Sequence, residues 1–177
     1  ELLERVRQSD VVYADETSWY VGAPGYWLWV FTTPTSTIYR IAGSRGHPVA
    51  AKVLGEDFSG VLVTDCANCY DPFECRKHKC IFHHLRALKK QRQQPKMKDL
   101  SYLDAWEQLW KDVLKLTKQR DELAPEDFAA RRTAIEARAD ALLAEEPNQI
   151  GDRKFYNRMK KNRPDLFGCL HYENVDP

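Results

Sequence analysis

The sequence predicts an α/β protein with a sheet of antiparallel and parallel strands and a helical second half. Three β-branched or aromatic runs, at 10–15, 26–32 and 37–41, follow one another with tight connections, which predicts an antiparallel meander. A fourth run at 60–65 comes after a helical segment, and a strand that follows a crossover helix favours parallel pairing. From residue 83 onward apolar residues recur at three- and four-residue steps, which indicates helices.

The segments around these strands carry turn and helix signals. Apolar residues on one side of segment 1–9 predict the end of a helix, and glycine and proline within 17–25 predict a connection or a hairpin. Pro48 suits the first turn of a helix, and Gly55 suits its end. We expect a fifth short strand at 79–82.

The second half predicts a basic helix followed by a helical hairpin. The first helix covers 83–94 and is interrupted by Pro95. Near-heptad apolar steps predict a second helix within 99–123, and Pro125 opens a third. Two such helices joined by a short turn form an antiparallel hairpin. A last helix is expected at 152–162.

The composition indicates a soluble globular protein without a membrane span or a disulfide framework. The 177 residues are 43% hydrophobic and 30% charged, which excludes a disordered chain. The longest apolar stretch, around 26–31, is far shorter than the ~18 residues that suggest a membrane span. The five cysteines are an odd number and are mixed with histidines, which favours a reducing cytoplasm.

Positive charge is concentrated in one block of a chain whose net charge is only +1. Nine Lys or Arg residues and no acidic residue lie between Arg76 and Lys98, which indicates either a phosphate-binding face or a solvated helix face. The candidate DNA contacts within the block are Arg86, Lys89 and Lys90. Arg45, beside a glycine at a predicted helix start, is another candidate phosphate contact. Trp106 and Trp110 lie one turn apart and are predicted to belong to the hairpin core.

Two aspartates, Asp15 and Asp65, end apolar strand-like runs. A carboxylate at the end of a buried strand is costly unless something compensates its charge. Each one alone is typical of an ordinary strand end or turn, but two carboxylates converging at one sheet can hold Mg²⁺, which prefers oxygen ligands. Glu16 follows Asp15 directly and is predicted to point to the other face of the strand, so it is not assigned as a ligand. The pattern predicts a metal-dependent enzyme acting on nucleic-acid phosphodiesters.

Cysteine and histidine pairs form a second candidate site. Cys66-x-x-Cys69 and Cys80-x-x-His83 have the spacing of zinc ligands. The gaps between the two pairs are short and contain a presumed strand. We therefore expect Cys80 and His83 to form a structural pair, with bound zinc as the alternative.

The predicted strand order is the ribonuclease-H-like order, in which acidic residues lie on the first and fourth strands. Particular motifs refine this interpretation. They are Asp15-Glu16-Thr17-Ser18, the strand 27–31, the segment 39–46, the stretch 55–65 and Cys80-x-x-His83. Together they resemble the transposases of the insertion-sequence-66 family over essentially the whole chain, and the stretch 55–65 is specific.

The resemblance implies a DDE transposase domain on a ribonuclease-H-like fold, with an acidic triad that binds two Mg²⁺ or Mn²⁺ ions. Asp15 resembles the first acid and Asp65 the second, while Cys80 and His83 resemble the Cys-x-x-His motif seen after the second acid in many such enzymes. The helical hairpin resembles the insertion before the final catalytic helix. The implied activity is DNA strand cleavage and strand transfer by two-metal phosphoryl transfer. The implied partners are transposon ends and target DNA, bound by a homo-oligomer in the bacterial cytoplasm, at the nucleoid and away from the membrane.

The chain differs from the family pattern at the third acid. This acid is a glutamate in an Asn-Asn-x-x-Glu-Arg type motif, which does not occur in these 177 residues, and Glu173 does not match it. We therefore expect a truncated core that is weakly active or inactive alone. Its expected divisions are a catalytic core at 1–98, a hairpin insertion at 99–147, and a helix and tail at 148–177. The alternatives are a non-catalytic truncated transposase, a zinc-stabilised DNA-binding module, and another ribonuclease-H-like nuclease such as a resolvase.

Overall fold

The computed structural model of the chain describes residues 1–95 and 97–177. Lys96, which belongs to the predicted basic block, lies outside the described residues. The described chain forms two compact units, residues 1–79 and 80–177. The division expected from the sequence, into a core, a hairpin insertion and a tail, stays a prediction.

The first unit is built on a five-stranded mixed sheet. Its elements are α1 (Leu2–Arg7), β1 (Val11–Trp19), β2 (Tyr26–Thr32), β3 (Thr37–Ala42), α2 (His47–Leu54), β4 (Val61–Thr64) and β5 (Arg76–Lys79). The strand order is β3-β2-β1-β4-β5. β1, β2 and β3 pair in antiparallel fashion, whereas β4 lies parallel to both β1 and β5. The predicted meander and the predicted parallel pairing are thereby confirmed.

The inner strand β2, between β3 and β1, supplies the largest side chains of the core of this unit. Trp29 and Phe31 are fully buried and stack with their ring centroids 6.1 Å apart. Tyr70, in the short 3₁₀ turn Asn68–Tyr70, meets Trp29 edge to face. One face of β1 and the apolar face of α2 belong to the same buried cluster. This packing fixes the face of β1 that carries Val12, Ala14 and then Glu16 toward the core.

A close approach between two backbones fixes the start of β4. The amide of Val61 donates a hydrogen bond to the carbonyl oxygen of Asp10 at 2.8 Å. A Cβ atom added at Gly60 would lie 2.5 Å from the backbone oxygen of Ser9 and 2.6 Å from the ring of Phe58. Only glycine fits at this position without a shift of its neighbours, so Gly60 permits β4 to begin directly beside β1.

Two strand boundaries differ from those predicted. β1 continues to Trp19, through part of the predicted connection at 17–25, because its last residues pair with β2 down to Tyr26. The fifth strand predicted at 79–82 was wrong: β5 ends at Lys79 and a helix begins at Ile81. β5 consists entirely of polar residues and shows no alternating burial, so its pairing with β4 determines where it lies.

The second unit is helical. Its elements are α3 (Ile81–Arg92), α4 (Ser101–Lys118), α5 (Pro125–Ala144), α6 (Ile150–Asn162) and α7 (Gly168–His171). α4 and α5 contact each other along their lengths. Trp106 and Trp110 are fully buried, which confirms their prediction as core residues. Within residues 1–95 and 97–177, no helix has both the length and the apolarity needed to cross a bilayer.

Candidate active site

The two predicted aspartates follow a register pair on adjacent parallel strands. Ala14 of β1 pairs with Thr64, the last residue of β4; Asp15 is the next residue of β1, and Asp65 is the first residue after β4. Adjacent strands lie about 4.8 Å apart, so the register brings both aspartates to the same level of the sheet. Asp15 is exposed, while the side chain of Asp65 retains 19% of its exposure.

Local hydrogen bonds orient both carboxylates. Oδ1 of Asp15 accepts a hydrogen bond from the amide of Glu16 at 2.9 Å, and Oδ1 of Asp65 accepts one from the amide of Ala67 at 2.7 Å. The hydroxyl of Thr64 donates to the carbonyl oxygen of Asp65 at 2.8 Å. Lys79, which is 1% exposed, donates from Nζ to Oγ1 of Thr64 at 3.2 Å. The buried Lys79 side chain thus lies two hydrogen bonds from the Asp65 backbone.

Glu16 points to the face of β1 opposite to Asp15, as predicted; this face is the core side, and the Glu16 side chain is completely buried. Its Oε1 accepts a hydrogen bond from Nε of Arg45 at 2.8 Å, and its Oε2 accepts one from the Tyr70 hydroxyl at 2.5 Å. Burial raises the pKa of Glu16, although both hydrogen bonds act in the opposite direction. The two partners satisfy a carboxylate that would otherwise be costly in a core.

Arg45 connects Glu16 to Asp65. Its Nη2 lies 2.7 Å from Oε1 of Glu16 and 3.9 Å from Oδ2 of Asp65. Its guanidinium group also lies over the ring of Trp27, 4.8 Å from the ring centroid. The loop that carries Arg45 is held because the indole of Trp29 donates to the carbonyl oxygen of Ser44 at 3.2 Å. Arg45 therefore has a defined position, although its side chain remains 46% exposed.

A cavity of about 340 Å³ adjoins Arg45. Its lining consists of Arg45, Cys66, Ala67, Asn68 and Cys69. Burial raises the pKa of Cys69 to about 12, and the nearby carboxylates of Glu16 and Asp65 act in the same direction. Cys69 is therefore a neutral thiol at pH 7 and adds no charge to the cavity.

The Cys80 and His83 pair lies at the start of α3. Burial acts to raise the pKa of Cys80, but hydrogen bonds and the charge of His83 outweigh it, so that the pKa of the thiol is lowered. Among the described residues, no group of three or more His, Cys, Asp or Glu side chains is arranged to hold a metal ion.

The predicted DNA contacts of the basic block belong to α3. Arg86, Lys89 and Lys90 are exposed on this helix. Arg92 differs from them because it forms ion pairs with Asp104 at 2.5 Å and with Glu107 at 2.6 Å. The exposed three are consequently the better candidates for contacting phosphates.

Sequence reasoning missed the side chains that complete the site around Asp65. Nothing in the pattern linked Tyr70 to Glu16, because they are 54 positions apart. One signal was present: a glutamate facing the core of a sheet needs a buried partner. The buried Lys79 was also missed, since it belongs to the strand whose position was mispredicted.

Comparison with known proteins identifies the family of the chain. Residues 1–176 match the family described as Transposase IS66 family. The chain is also similar to the uncharacterized protein y4qI of Sinorhizobium fredii (strain NBRC 101917 / NGR234), with 34% identity over 84 residues; the match covers 39% of this chain and 15% of that protein. No solved structure matches the chain. Since the family match covers nearly all of its residues, the chain belongs to the IS66 family of transposases.

Proposed function

We propose that this chain forms the core of a DDE-type catalytic domain that cleaves and joins DNA strands, with Asp15 and Asp65 as its first two metal-binding carboxylates. The observation that carries the proposal is the β1–β4 register, in which the two aspartates follow the paired residues Ala14 and Thr64. Membership of the IS66 transposase family supports the same function.

The topology of the sheet supports a ribonuclease-H-like fold. An antiparallel meander occupies one side, and two parallel strands follow on the other in the order β3-β2-β1-β4-β5. We interpret the helix pair α4 and α5 as the insertion that such transposases carry before their last catalytic helix. The third acid remains unassigned, because no Asn-Asn-x-x-Glu-Arg type motif occurs in the sequence.

The donor set at the two aspartates fits a hard divalent cation. Mg²⁺ is commonly held by one or two carboxylates, with waters and substrate phosphates as its other ligands. Ions bound there would stabilise charge on the attacking and leaving oxygens of a phosphodiester. The chain itself supplies the orientation of Asp65, through the amide of Ala67 and the hydroxyl of Thr64.

Metal binding by the chain tests this function without requiring turnover. We expect Mn²⁺, followed by its paramagnetic resonance signal, to bind the wild-type chain and to bind Asp15→Asn and Asp65→Asn at least about tenfold more weakly. Asp57→Asn is the matched control, because Asp57 is an exposed aspartate of the same unit. Equal Mn²⁺ affinity in all four proteins would refute the assignment of the two carboxylates.

A further inference from the structure

Arg45 lies between two carboxylates that differ in accessibility. The Glu16 side chain is fully buried, whereas the side chain of Asp65 keeps 19% of its exposure. Glu16 is the closer partner, at 2.7 Å and 2.8 Å from two guanidinium nitrogens, while Asp65 lies 3.9 Å from Nη2. Glu16 is thus a fixed anchor, and Asp65 is the partner that a ligand can reach.

The guanidinium group keeps donors that Glu16 does not use. Arginine has five N–H donors, and the contacts with Glu16 involve Nε and Nη2. At least three donors therefore remain on a side chain that is 46% exposed and lines the cavity formed with residues 66–69. Two parallel N–H donors match two oxygens of a phosphate, which is the anion that arginine binds best in this way.

We propose that Arg45 is a phosphate ligand for DNA whose availability depends on a divalent cation at Asp65. Without the cation, Glu16 and Asp65 together offset the guanidinium charge, and Asp65 repels a phosphate. A cation on Asp65 compensates that carboxylate, so the charge of Arg45 is again available to a phosphate. Glu16 then acts as a positioning residue, because it holds Arg45 beside the metal site from the core face of β1.

This inference rests on the proposed function, since it uses the proposed metal site at Asp65. Unlike the proposed function, it requires that the contribution of Arg45 to DNA affinity depends on whether a cation is bound. An ordinary surface arginine strengthens DNA binding with or without the cation. A merely structural arginine alters folding and leaves no cation-dependent signature.

The test measures the affinity of the chain for a short fluorescein-labelled DNA duplex by anisotropy, at constant ionic strength, with Ca²⁺ or with EDTA. We expect Arg45→Ala to weaken binding about tenfold in Ca²⁺ and to have little effect in EDTA. Arg45→Lys retains a charge without the planar fork, so its DNA affinity in Ca²⁺ is expected to lie between those of the wild type and Arg45→Ala. Lys52→Ala, which removes an exposed charge of the same unit, is expected to change both affinities by the same factor.

Asp65→Asn provides a second and independent arm. This variant removes the negative charge that a bound cation would otherwise compensate. We therefore expect Asp65→Asn to bind DNA more strongly than the wild type does in EDTA. That gain should be clearly smaller in the double variant with Arg45→Ala, where only the direct repulsion between Asp65 and a phosphate is relieved, and the cycle isolates the coupling between the two residues. A gain of the same size in the double variant as in Asp65→Asn alone, or an Arg45→Ala loss that is equal in Ca²⁺ and EDTA, overturns the inference.

The failure of the inference and the failure of the proposed function give different results. If Mn²⁺ binding depends on Asp65 but the loss of DNA affinity in Arg45→Ala is the same with and without the cation, only the inference fails. If Mn²⁺ does not bind at Asp65, both fail. Circular dichroism of Arg45→Ala and Arg45→Lys establishes that the measured proteins are folded.

Discussion

The buried hydrogen bond between Tyr70 and Glu16 gives a prediction about stability. Tyr70→Phe removes the hydroxyl that donates to Oε2 of Glu16 at 2.5 Å and leaves that oxygen unsatisfied inside the core. Hydrogen bonds to charged groups contribute about 1.5–3 kcal/mol. For a protein of this size, a loss of about 2 kcal/mol lowers the melting temperature by about 4–8 °C.

The assay is thermal and urea unfolding of the wild type and Tyr70→Phe. Tyr39→Phe is the matched control, because Tyr39 lies on β3 of the same unit and is 69% exposed; its effect should remain within about 0.5 kcal/mol. In a Glu16→Gln background the cost of Tyr70→Phe should fall, since the acceptor then carries no charge. A cost as small as that of Tyr39→Phe, or one unchanged by Glu16→Gln, would refute the reasoning.

Three further predictions concern other parts of the chain. Gly60→Ala should cost about 2 kcal/mol or more in urea unfolding, because its Cβ would meet backbone at 2.5 Å. Iodoacetamide should alkylate Cys80, whose pKa is lowered by His83, faster than the buried Cys169, whose pKa is raised to about 12; mass spectrometry should show that His83→Gln slows the Cys80 reaction. Burial raises the pKa of Asp152 above its ordinary value of 3.8. The stability that protonated Asp152 contributes is present below pH 3.8 and is lost as the pH rises through the folded-state pKa. The unfolding free energy of Asp152→Asn should therefore increase relative to that of the wild type as the pH rises through this interval. A pH-independent difference would contradict this.

The sequence predicted the sheet of the first unit well because its strands are long apolar or alternating runs with clear punctuation. β2 and β3 begin where the aromatic run and the alternating run predict them. α2 begins beside Pro48 and ends before Gly55, whose φ of 82° favours glycine. β5 could not be found in the same way, because it consists of Arg, Lys and His and owes its conformation to pairing with β4.

The candidate site was predicted in part. Asp15 and Asp65 could be singled out because each ends or follows an apolar run next to the register pair Ala14 and Thr64, and their role as metal ligands stays a prediction. Arg45 was noted only as a candidate phosphate contact beside a glycine. Its ion pair with Glu16 joins positions 29 residues apart and depends on how the loop before α2 meets β1, which no local pattern specifies.

The consecutive residues Asp15 and Glu16 explain how one strand can serve both parts of the proposed site. Successive side chains on a strand point to opposite faces, so a carboxylate pair in sequence becomes one exposed and one buried carboxylate in the fold. The exposed Asp15 is the proposed cation ligand, while the buried Glu16 holds Arg45 beside Asp65. Exchanging the two residues should therefore damage both functions, because aspartate at position 16 is one methylene too short to reach Arg45 and Tyr70 together. Conservative single changes test the two proposed roles separately. Asp15→Asn should weaken Mn²⁺ binding, and Glu16→Gln should alter how DNA affinity depends on the cation.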